Sequence, residues 1–234
     1  MPDPFPRAEL MRSLGRLVRG LSALFWGLPF TLLVSAQKEI FNWFRPHGVM
    51  LPILANGLLV YGLIQLSYFQ RQERVWTSAL ERGKLLGIIN TGLAPFLYFR
   101  AKVPANPFFS EMVFVLVLTG ILFLFNLNHV LNRLASMLPD QTLRDETRLF
   151  SQLNRFLLII VVGMLLAYHA VSSLDLPVVI IHFLTMLNHA RSWLLIFLVL
   201  LPVAMTMTLI WKIKDVILAS VFNESVSGDP GSEA

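Results

Sequence analysis

The sequence predicts an all-α fold, a polytopic bundle of transmembrane helices, and three observations carry that prediction. First, 56% of the 234 residues are apolar and only 14% charged, against roughly 45–50% and about 25% in soluble domains. Second, several apolar runs reach the ~20 residues that cross a bilayer as a helix. Third, all 14 acidic residues and all 19 Lys and Arg fall in connecting segments or at run ends. Together these exclude a soluble enzyme, a nucleic-acid-binding domain and a disordered chain as whole-molecule readings.

The first element expected is an apolar helix over 21–36, preceded by a polar, arginine-bearing segment 1–20 assigned to the cytoplasm. Ala23, Gly27, Thr31 and Ser35 recur every four residues. On a helix they form one small-residue stripe, which lets a second helix approach closely. The rival reading is a signal peptide cleaved after Val34-Ser35-Ala36. The long basic leader, Trp26 and Pro29 argue for a retained anchor.

A second span is expected over 49–69, ended abruptly by Gln70-Arg71-Gln72-Glu73-Arg74. Residues 71–84 read as an amphipathic surface helix. The third span, 85–99, is short and interrupted by Asn90 and Pro95. It suits a tightly covered span or a re-entrant helix, because irregular backbone at membrane depth needs protein or a wet cavity around it. Gly83, Gly87 and Thr91 repeat the small-residue pattern.

Pro104 and Pro107 break the chain before a fourth span, 108–130. Residues 133–155 then read as basic and amphipathic, broken at Pro139-Asp140, with Thr142-Leu143-Arg144-Asp145 as a capping box. Leu149, Leu153 and Phe156 share a face leading into a fifth span, 156–173. Residues 178–189 are too few to cross and suit an interfacial or re-entrant helix. A sixth span, 193–211, carries a tryptophan at each end, the side chain that prefers the headgroup level. These spans make one membrane domain over 21–222, and residues 223–234 have the composition of a disordered tail.

With six spans, 14 of the 19 Lys and Arg fall on one side and 5 on the other. Basic residues favour the cytoplasmic side, so both termini are placed there, in a multi-pass protein of the inner membrane. The same rule accounts for the net charge of +5 and the pI near 9.9. Nucleic acid is not an expected partner, since no basic stripe interleaves with aromatics.

Few residues suggest chemistry. The absence of cysteine excludes disulfides, thiolate metal sites and a thiol nucleophile. No nucleophile elbow, phosphate-binding loop or metalloprotease helix occurs, so no catalytic residue and no dedicated metal site is assigned. His169, His182 and His189, with Asp175 nearby, converge on the outer side of this topology. They could ligate haem iron or a pigment metal, or act as plain interfacial polar residues. Asn126, Asn128, His129, Asn132 and Arg133 form a polar cluster at the end of the fourth span. It reads as a headgroup-binding notch or as interhelical hydrogen bonding. The leading functional expectation is a non-enzymatic scaffold or accessory subunit, in contact with lipid and with other membrane subunits. A transporter of a neutral solute or lipid is the alternative, motivated by the interrupted third span. A histidine-ligated haem or pigment carrier is the third reading, and the cofactor itself is unspecified.

Overall fold

The computed structural model describes residues 4–36, 47–70, 72–138, 140–173 and 199–219. Among the described residues every regular element is a helix: α1 (Pro4–Ala36), α2 (Met50–Leu66), α3 (Arg74–Leu93), α4 (Pro95–Lys102), α5 (Pro107–Met137) and α6 (Gln141–Ser173). A further helix, α7, covers 199–219. The all-helical fold class therefore holds among the described residues.

The span count is smaller than expected. Three described helices are long and apolar enough to cross a bilayer, Met11–Ala36, Pro107–Met137 and Gln141–Ala167, against six expected spans. The stretch expected over 49–69 yields a helix of 17 residues, about 26 Å at ~1.5 Å per residue. It stops at Leu66, where the Ser67 hydroxyl donates to the Ile64 carbonyl at 2.7 Å. Gln70 then takes a φ of 45° and turns the chain.

The surface helix expected over 71–84 and residues 85–93 of the span expected over 85–99 share one helix, α3, with Asn90 inside it. The interruption falls at Ala94–Pro95, where the proline ring displaces the carbonyl of Thr91 and α4 begins. Residues 133–137, expected in a surface segment, extend α5. That helix opens on Asn106, whose side chain accepts from the Phe108 N–H at 3.0 Å, with Pro107 in the first turn. At α6 the expected capping box at Thr142 is replaced by an earlier cap. Asp140 Oδ1 accepts from the Leu143 N–H at 3.2 Å. The helix then runs unbroken from Gln141 through the expected fifth span. The expected short helix 178–189, the tail 223–234 and residues 193–198 of the sixth span lie outside the described residues.

Why the helices associate follows from glycine and leucine spacing. At the α1–α2 crossing, a Cβ on Gly20 would meet the Gly62 carbonyl oxygen at 2.8 Å, and one on Gly62 would meet Leu24 Cγ at 2.8 Å. Only two hydrogens at these positions allow the backbones so close. Leu17, Leu21, Leu24 and Leu28 of α1 recur at steps of four, three and four, and are buried. Leu124, Leu127, Leu131 and Leu134 of α5 follow the same rhythm, as do Ile210, Ile213 and Ile217 of α7. This is the near-3.5 period that keeps one seam of a helix facing its neighbours. In lipid such seams gain from van der Waals packing and not from leaving water.

The packed seam occupies one half of the bundle. There the C-terminal parts of α2, α5 and α7 meet the middle of α1 and the start of α3 around fully buried Trp76. Trp76 Nε1–H donates to the Phe69 carbonyl at 2.9 Å and its ring stands edge-on to Phe69. In the other half, where α1 ends and α5 begins, the same helices are separated by a chamber.

Candidate functional site

The chamber has a volume of about 430 Å³ and opens partly to the molecular surface. That volume is in the range of small-ligand pockets, roughly 300–1,000 Å³. Along α5 its wall runs from Val113 to Leu124, about 17 Å at ~1.5 Å per residue. This is close to one leaflet of a hydrocarbon core ~30 Å thick. Leu28 and Leu32 of α1, Leu59 of α2, Leu97 of α4, Leu158 of α6 and Val203 of α7 are among the residues that continue the apolar wall. Gly120 also faces it, and a Cβ there would meet nothing within 4 Å.

Polar groups at the wall are few, and most are already engaged. Thr31 donates to the Leu28 carbonyl at 2.8 Å, Ser35 to the Thr31 carbonyl at 2.7 Å, and Asn56 to the Pro52 carbonyl at 2.9 Å. Asn90 differs. It is 3% exposed, and its Oδ1 has no hydrogen-bond partner. Leaving a buried polar atom unmatched costs about 1–3 kcal/mol. Arg100, in the last turn of α4, closes the polar list of the wall. Among the described residues no carboxylate pairs with it. Around it lie Tyr98, Lys102 over the Tyr98 ring at 5.6 Å, and Phe99 stacked on Phe109 at 5.7 Å. A basic pair beside aromatic rings suits the headgroup level.

A second polar group lies elsewhere, at the junction of α5, α6 and α7. Asn128 Nδ2 donates to the Leu124 carbonyl at 2.8 Å and to Thr206 Oγ1 at 3.2 Å. Asn154 Nδ2 donates to Thr206 Oγ1 at 3.0 Å and to the Pro202 carbonyl at 3.2 Å. Asn154, Thr206 and Asn128 are all buried, and Asn154 Oδ1 and Thr147 Oγ1 have no partner.

The residues singled out from sequence fall as follows. Asn126 turns toward α3 and donates to the Ala79 carbonyl at 2.9 Å. Arg133 turns the same way and bonds Glu73 through both Nε and Nη2. Asn128 faces the α6–α7 junction, so the expected cluster divides between two interfaces. Successive helix positions are ~100° apart, which separates Asn126 from Asn128. His129 is exposed and Asn132 half-buried.

Among the small residues, Gly27 packs against Leu59, Gly83 against Asn126 and Leu63, and Gly87 against Val60. Ala23 and Thr31 are half-buried and Ser35 is exposed. Thr91 donates to the Gly87 carbonyl at 2.8 Å. Gly20 and Gly62 were not singled out, although the seven-residue step from Gly20 to Gly27 marks the same seam.

His169 stacks on Phe114 with centroids 4.2 Å apart, and its Nε2 lies 3.8 Å from Glu111 Oε2. His182, His189 and Asp175 lie outside the described residues. Among the described residues no three His, Asp or Glu side chains group as metal ligands. Comparison with known proteins adds nothing to this geometry: no family model, curated protein or solved structure matches the chain.

Proposed function

We propose that the protein is an integral membrane protein whose chamber houses one apolar guest, a lipid tail or a neutral solute, as a carrier or transporter does. The observation that carries this reading is the leaflet-deep chamber of about 430 Å³ with a mainly apolar wall. It also draws support from how the small-residue stripes are used. Gly27, Gly83 and Gly87 pack against helices of the same chain, so they no longer argue for an external partner.

The accessory-subunit reading keeps one observation of its own. Leu149, Leu153, Phe156 and Ile159 form an exposed apolar line on α6, suited to lipid or to a neighbouring subunit.

The multi-pass arrangement with both termini in the cytoplasm of an inner membrane is part of the same proposal. Arg16 over Tyr68, Glu73 with Arg133, and Glu146 with Lys212 are pairs between segments assigned to one side. Glu111 near His169 links two assigned to the other. The burial of Leu17, Leu21 and Leu24 in the shared core supports α1 as a retained element.

Native mass spectrometry of the protein released from membrane tests the reading. The expected result is one small molecule with an apolar tail or body per protein, lost in Gly120→Phe, whose ring enters the open space beside residue 120. Equal adducts in both proteins would count against a specific chamber.

A further inference from the structure

We infer that the chamber's guest is a single-chain amphiphile with an anionic head, its head held by Arg100 and its tail running down past Asn90. This rests on the chamber being a binding site and goes beyond it by naming the ligand class.

Three observations converge on it. Arg100, an exposed residue of α4, is among the residues that line the chamber, and among the described residues no carboxylate neutralises it. A guanidinium presents a planar fork of donors matched to carboxylate and phosphate oxygens. Tyr98, Lys102 and the Phe99–Phe109 stack place that end at the level where lipid headgroups lie. Below it the chamber is apolar for about 17 Å along α5, one leaflet's worth of hydrocarbon. A headgroup at Arg100 and a chain in the chamber therefore sit at the depths they occupy in the bilayer itself.

Asn90 adds a polar contact below the head. It stands ten residues before Arg100, at most about 15 Å along the axis. Long helical side chains lean toward the N-terminus, which brings the Arg100 head down toward Asn90. The buried amide has an oxygen without a partner. That acceptor suits the free hydroxyl that follows the head of a lysophospholipid, and a plain fatty acid would leave it unused. The shared chemistry is one anionic group on one alkyl chain, and a carboxylate or a phosphate can supply it.

Equilibrium binding to the full chain in neutral phosphatidylcholine nanodiscs tests this. The probes are radiolabelled oleate, oleoyl-lysophosphatidylglycerol and oleyl alcohol. The proteins are wild type, Arg100→Gln, Arg100→Lys, Asn90→Leu and Gly120→Phe, each confirmed by an unchanged elution profile. Oleate and the lysolipid should bind at one per chain, at least tenfold more tightly than the alcohol. Arg100→Gln should remove that advantage, Arg100→Lys should restore part of it, and Gly120→Phe should abolish binding of all three. Asn90→Leu should weaken the lysolipid alone if the phosphate-headed lipid is the natural guest, and neither anion if the fatty acid is.

If the alcohol binds as well as oleate and Arg100→Gln changes nothing, while Gly120→Phe still blocks all three, the anionic head is wrong and the chamber stands. If Gly120→Phe leaves every probe bound, the retained lipid is annular and the chamber reading falls with it.

Discussion

At single residues, the closest contacts are between glycine and a side chain that needs its missing Cβ. Asn126 reaches the Ala79 carbonyl only because Gly83 is bare, since a Cβ there would lie 2.8 Å from Asn126 Nδ2. Gly83→Ala should therefore lower stability by about 1–3 kcal/mol, the usual cost of overpacking, read as a fall in Tm in detergent. Gly57→Ala is the control. Its Cβ would meet nothing within 4 Å, and replacing a helical glycine is worth ~0.5–1 kcal/mol in the stabilising direction. Equal loss in both variants would contradict the close-contact account. At the buried junction, Asn154→Ala removes the donors to Thr206 and Pro202. At ~0.6 kcal/mol per interhelical bond in membrane proteins, the loss should be about 1 kcal/mol before any cavity cost.

Part of the glycine packing is legible in the spacing. Gly27, Gly83 and Gly87 were readable as close-packing positions, because spacing on a helix fixes the face. The reach of Asn126 was not, because its partner lies 47 residues away and the pairing belongs to tertiary structure.

At the level of elements, α2 and α3 are joined by a short turn whose geometry is costly. Gln70 holds a φ of 45°, in the left-handed region that a side chain disfavours. Gln70→Val should cost on the order of 1–3 kcal/mol and Gln70→Gly should not, by thermal unfolding of the two variants side by side. Beside the turn, Glu73 stands at the N-terminus of α3 and pairs with Arg133 of α5. Both groups are partly exposed, so a double-mutant cycle should return a coupling of roughly 0–1 kcal/mol. A much larger coupling would mean that the pair is screened less than its exposure implies.

Helix existence was readable from the apolar runs, and helix boundaries less so. Charges at 71–84 suggested a separate surface helix, yet nothing breaks the backbone before Pro95, so α3 continues through Asn90. Asp140 pre-empted the capping box at Thr142 because its carboxylate already reaches the Leu143 N–H. A pattern shows where a helix could start, and the first side chain with suitable geometry decides where it does.

Across the whole molecule, the bundle is filled at one end and hollow at the other. Composition predicted the membrane setting, and three helices are long and apolar enough to cross. The chamber could not be read from sequence, because its wall gathers residues from all seven described helices that lie far apart along the chain. The central claim is that this chamber and the outer faces of the helices lie in lipid. Because the chain has no cysteine, a spin label placed at a single introduced cysteine reports one position alone. Labels at residue 120 in the chamber and residue 88 on the exposed face of α3 can be read in proteoliposomes against dissolved oxygen and a water-soluble nickel chelate. The account predicts strong relaxation by oxygen and little by nickel at both positions. Strong relaxation by nickel at both would place them in water and contradict it.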